Sequence, residues 1–109
     1  MPGKYAGFIM SDNYQKNFTQ ILDEFKSGDK SKAFKKQENY LKNNSNDNVA
    51  RFNFAIMCNE VNKIDLAIKN YKKIIRDNKN HWESRFNLYI IYLDKKLYKH
   101  ALQYVNEVL

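Results

Sequence analysis

The chain has 109 residues, 43% hydrophobic and 28% charged, and a net charge of +7 from 19 Lys and Arg against 12 Asp and Glu. That length suits one compact domain whose core can fold without staples. The lone Cys58 excludes an intrachain disulfide and favours a reducing compartment, and no apolar run approaches the ~18 residues that a spanning helix needs, so the expectation is a soluble, cytoplasmic protein with no membrane span.

Residues 1–11 come first. Tyr5-Ala6-Gly7-Phe8-Ile9-Met10 is apolar, is too short for a signal-peptide core, and has no place in the pattern that follows. Such a segment is either an unstructured leader or a strip that lies along an apolar face, with Phe8 and Ile9 as anchors. In the second case it is a built-in peptide ligand.

Residues 12–109 repeat. Arg51-Phe52-Asn53 returns as Arg85-Phe86-Asn87 and Ala67-Ile68 as Ala101-Leu102, at a period of 34 residues (85 − 51 and 101 − 67). A fainter first copy keeps the register, with Phe18 aligned to Phe52 and Ala33 to Ala67. The units are therefore 12–45, 46–79 and 80–109, and a fixed period of this size means stacked supersecondary elements. Each unit reads as two helices. The first copy shows Tyr14, Phe18, Ile21, Leu22 and Phe25, then Ala33, Phe34, Tyr40 and Leu41; the second shows Phe52, Ala55 and Ile56, then Ile64, Ala67, Ile68, Tyr71, Ile74 and Ile75. The third repeats this with Phe86, Tyr89, Ile90 and Leu93, then Tyr98, Ala101, Leu102, Val105 and Leu109. Steps of three and four residues are those of amphipathic helices.

The punctuation has the same period. Asp12, Asn46 and Asn80 align ahead of the first helices as expected N-caps, and Asn80 with Glu83 has the spacing of a capping box. Gly28 and Asn62 align between the paired helices, where a left-handed residue ends a helix; Lys96 breaks that pattern and predicts a turn closed differently.

A 34-residue helix–turn–helix unit with Ala33, Ala67 and Ala101 near the start of its second helix resembles the tetratricopeptide repeat (TPR) family, in three degenerate copies over residues 12–109. Leu88 and Tyr92 match two first-helix positions of that family, and Tyr71 its large second-helix aromatic. Asn17, Arg51 and Arg85 stand where the family has a bulky apolar residue, and no proline closes a repeat. The resemblance implies an all-α solenoid, about six antiparallel helices in a right-handed superhelix, with first helices lining a concave groove and second helices forming the outer wall.

In that geometry Phe18, Phe52 and Phe86 share one groove position and Leu22, Ile56 and Ile90 another, with Asn53 and Asn87 beside the aromatics and Thr19 in the first copy. A carboxamide both donates and accepts, which suits holding a peptide backbone whatever its side chains. The implied function is a protein–protein interaction scaffold for an apolar or amphipathic peptide. Phenylalanine at helical spacing equally suits a core, so each rung is either core or ligand contact. Chaperone-binding relatives grip a C-terminal carboxylate with basic groove residues. Here Phe18, Leu22, Glu83 and Asn87 occupy the matching places and only Asn53 agrees, so no carboxylate clamp is expected.

Lys30, Lys32, Lys35, Lys36 and Lys42, then Lys69, Lys72, Lys73, Arg76 and Lys79, lie on or beside the second helices of the first two repeats. Lysine enriched by an AT-rich genome on a solvated face accounts for them. The alternative is a track for nucleic acid or an anionic membrane surface, disfavoured by the scarcity of arginine. No cofactor, metal or enzymatic activity is expected: His81, His100 and Cys58 share no ligand spacing, and glycine occurs only at Gly3, Gly7 and Gly28. At the far end Leu102, Val105 and Leu109 form an apolar strip with nothing after it to cover it. The expectation is a fragment of a longer protein or a homodimer through the last repeat.

Overall fold

The computed structural model describes residues 6–9 and 15–105. Among these residues there are six helices and no strand: α1 (Gln15–Ser27), α2 (Lys30–Asn43), α3 (Asn48–Glu60), α4 (Ile64–Asp77), α5 (Trp82–Asp94) and α6 (Tyr98–Val105). Extensive packing joins only helices consecutive in sequence, and it is denser within the pairs α1–α2, α3–α4 and α5–α6 than between them. The core follows from the apolar spacing. Ala33, Ala67 and Ala101 are buried early in the second helices, where a small side chain lets the paired helix come close. Phe34, Phe54, Met57, Cys58, Ile74, Leu88 and Ile91 fill the space between layers. None of the described helices is long and apolar enough to cross a membrane.

Helix starts keep the period, since Lys30, Ile64 and Tyr98 open the second helices at equivalent positions. The caps fall one residue later than expected. Asp47, not Asn46, accepts from the Ala50 N–H at 3.0 Å, and His81, not Asn80, accepts through Nδ1 from the Ser84 N–H at 3.2 Å. The Asn80–Glu83 capping box does not form; the Asn80 N–H instead donates to Asn78 Oδ1 at 3.1 Å. Asp12 lies outside the described residues. Within the first repeat, Asp29 caps α2 by accepting from the Lys32 N–H at 3.0 Å.

The turns correct the expectation twice. Lys96 closes its turn just as Asn62 does: the two residues have φ of 61° and 63°. In each turn the next N–H reaches five residues back, Lys63 to the Cys58 carbonyl at 2.7 Å and Leu97 to the Tyr92 carbonyl at 2.9 Å. With the shorter bonds Asn62 N–H to Asn59 O and Lys96 N–H to Leu93 O, both are Schellman closures. Gly28 is the exception. It is not left-handed, and its N–H bonds the Glu24 carbonyl at 3.0 Å as a last turn of helix before Asp29. The first repeat therefore turns more tightly than the other two.

Lys96 is strained by its Cβ in this conformation, whereas glycine has none to strain. Lys96→Gly should therefore stabilise the chain by about 1 kcal/mol, read as a rise of a few degrees in thermal midpoint.

Two arginines that depart from the apolar family pattern have equivalent structural work. Arg51 Nη2 donates to the Ser45 carbonyl at 3.0 Å, and Arg85 Nε to the Lys79 carbonyl at 2.6 Å. Each guanidinium thus pins the linker in front of its own helix, six residues back. Arg51 Nη1 also donates to Asn70 Oδ1 at 2.7 Å, tying α3 to α4. Gln37 does the same between repeats, donating from Nε2 to the Ala50 carbonyl at 2.9 Å in a fully buried setting.

Candidate peptide-binding groove

Asn53 on α3 and Asn87 on α5 are both 0% exposed, and each holds the backbone of one residue of the N-terminal segment. The Ile9 N–H donates to Asn53 Oδ1 at 2.8 Å while Asn53 Nδ2 donates to the Ile9 carbonyl at 2.7 Å. The Ala6 N–H donates to Asn87 Oδ1 at 2.8 Å while Asn87 Nδ2 donates to the Ala6 carbonyl at 3.1 Å. Each carboxamide is thus used in both senses. Asn87 Nδ2 also approaches the Tyr71 hydroxyl at 3.2 Å, so the buried tyrosine of α4 steadies the amide from behind.

Apolar contacts accompany the clamps. Phe8 meets Phe18 of α1 edge-on, with ring centroids 5.3 Å apart, and Ala6, Phe8 and Ile9 are half-buried against the core. The expected anchors Phe8 and Ile9 therefore both engage the face of the first helices. Gly7 is exposed, and a Cβ built on it would meet no atom within 4 Å.

The rungs divide between core and surface. Phe52 is fully buried, with Tyr71 and His81 rings at 5.8 and 5.4 Å, and thus belongs to the packing between repeats. Phe18 is buried beneath Phe8; Ile56 and Ile90 are buried; Leu22 and Phe86 remain partly exposed. On α5, Leu88, Ile90, Ile91 and Tyr92 are buried, whereas Trp82 is 54% exposed. At the other end Leu102 is 55% exposed and Val105 half-buried; Leu109 of that strip lies outside the described residues.

Electrostatics on the outer helices are mixed. Lys36 pairs with Glu24, Lys30 donates to the Phe25 carbonyl at 3.1 Å and sits over its ring, and Lys72 lies over Tyr92. The clefts there place Glu38 among Lys42, Lys69 and Arg51, and again among Lys30, Lys35 and Lys63. Glu38 is the one carboxylate of both clefts, against six cations, so the field there stays net positive.

Cys58 is buried, and burial pushes its thiol up to about 12, so at neutral pH it is a protonated packing group. No cluster of three or more His, Cys, Asp or Glu side chains poised to hold a metal occurs among the described residues.

His81 gives the fold a pH dependence. Only the neutral ring can accept the Ser84 N–H at Nδ1, and burial lowers its pKa against the opposite pull of Glu83, 3.9 Å away. As pH falls through about 6.5 the unfolded chain takes up the proton first. Stability is therefore full above that pH and is lost as pH falls toward the lower folded value. His81→Asn keeps a neutral cap acceptor and should flatten this step, seen as a smaller drop in thermal midpoint between about pH 7.5 and pH 5.

Of the residues expected to line the groove, Asn53, Asn87 and Phe18 contact the N-terminal segment. Sequence reasoning missed Tyr71 as the support of Asn87 and the two arginine latches. In comparisons with protein-family models, curated proteins and solved structures, none matches this chain.

Proposed function

We propose that the chain is a protein–protein interaction scaffold. In this reading its three TPR-like repeats stack as a right-handed α-solenoid, and the first helices form a groove for an apolar or amphipathic peptide segment. One observation carries the reading: two asparagines at equivalent repeat positions each hold both backbone groups of a single residue. Side chains on α3 and α5 bonded to main chain recognise a peptide as a peptide, leaving sequence preference to the apolar contacts around them. Neither asparagine bonds a side chain of the segment in these four contacts, so the same clamp accepts other sequences.

The test is selection from a displayed random-peptide library on the full chain, with counter-selection on Asn53→Ala/Asn87→Ala. Peptides that bind the wild type and are lost on the double variant support the reading. A library that yields no binder, or binders indifferent to both asparagines, overturns it.

A further inference from the structure

The resident segment shows how the groove would read its ligand. One carboxamide can pair with both groups of a residue only if that N–H and C=O point to the same side, as in extended backbone. The two clamped residues, Ala6 and Ile9, are three apart. In a β-strand, residues three apart face opposite sides, because the period is two. In a polyproline II helix the period is three, so they return to one side after a rise of about 9 Å. A ligand of that form can present one clamped residue to each successive repeat.

Direction is also given, since Ala6 lies on α5 and the later Ile9 on α3. Between them, Gly7 faces open space and Phe8 packs on Phe18. The pattern read is thus a small or apolar clamped residue, any residue, an aromatic, then a second apolar clamped residue.

Resting on the scaffold reading above, we propose that the groove takes a polyproline II-type peptide of this pattern, running N to C from the third repeat toward the second. Residues 6–9 are its resident occupant, and an external peptide must displace them. A tethered competitor acts at an effective concentration in the millimolar range. For a resident segment of ~100 μM intrinsic affinity this weakens every external ligand about tenfold.

The test uses the full chain and a labelled hexapeptide with the sequence of residues 5–10, followed by fluorescence anisotropy. Phe8→Asp should weaken the resident and let the hexapeptide bind at least tenfold more tightly than it binds the wild type. Ile9→Pro, which removes the N–H given to Asn53, should act the same way and serves if circular dichroism shows Phe8→Asp misfolded. The same six residues in reverse order should bind at least tenfold more weakly. Equal affinity for wild type and variants overturns the resident occupant, and equal affinity of the reversed peptide overturns the direction. If neither variant binds the hexapeptide the proposal fails, while binders from the library selection would leave the scaffold reading standing.

Discussion

Phe52→Ala is expected to destabilise the chain by about 3–5 kcal/mol, the cost of removing a fully buried aromatic and leaving a cavity that the helices only partly close. The ring is 0% exposed and wedged between Tyr71 of α4 and His81 at the start of α5, so its loss opens the junction between the second and third repeats. Domains of this size hold only about 5–15 kcal/mol in total, so the variant should unfold at a much lower urea midpoint. Phe86→Ala, at an equivalent sequence position but half-exposed, should cost far less. Equal losses at the two sites would mean that repeat equivalence, and not burial, sets the energetics.

Asn53→Ala/Asn87→Ala is expected to have the largest effect on binding. Four hydrogen bonds to peptide backbone disappear, each worth about 0.5–1.5 kcal/mol net. The intrinsic affinity of a selected peptide should fall by about 2–6 kcal/mol, or roughly 30- to 20,000-fold. The pair also has a stability cost that a surface carboxamide would not have, because Asn87 donates to the buried Tyr71 hydroxyl. The four bonds to Ala6 and Ile9 within the chain are lost as well, so the total cost is about 2–6 kcal/mol, and the binding loss is read only on protein that stays folded. Isothermal titration on protein whose helicity matches wild type measures it.

Much of this architecture is legible in the sequence, for a physical reason. Helices that stack in register must bury equivalent faces, so the apolar spacing, the small Ala33, Ala67 and Ala101, and the second-helix starts all repeat together. The all-helical class and the paired helices follow directly. Asn53 and Asn87 are legible because a polar residue that recurs beside a recurring aromatic has the same place in both repeats.

What is not legible lies where tertiary packing overrides local preference. Lys96 argues against a left-handed turn by its Cβ, yet the Schellman bonds of α5 hold it there. Gly28, free to be left-handed, is not, because Asp29 starts α2 at once. Asn46 and Asp47 are adjacent short polar residues with equal capping chemistry, and only the position of the first helical turn chooses Asp47. Arg51 and Arg85 look like defects in an apolar pattern, because the carbonyls that hold them lie in linkers that no helical period describes.

The central claim is that Asn53 and Asn87 clamp a peptide backbone in the groove, and amide hydrogen exchange on the full chain tests it most directly. In the wild type the Ala6 and Ile9 N–H groups should exchange at least tenfold more slowly than an unstructured chain, because both are held by buried oxygens. Asn87→Ala should release Ala6 first, and Asn53→Ala should release Ile9 first. Exchange of both amides at the unstructured rate in the wild type, unchanged by either substitution, would contradict the clamp.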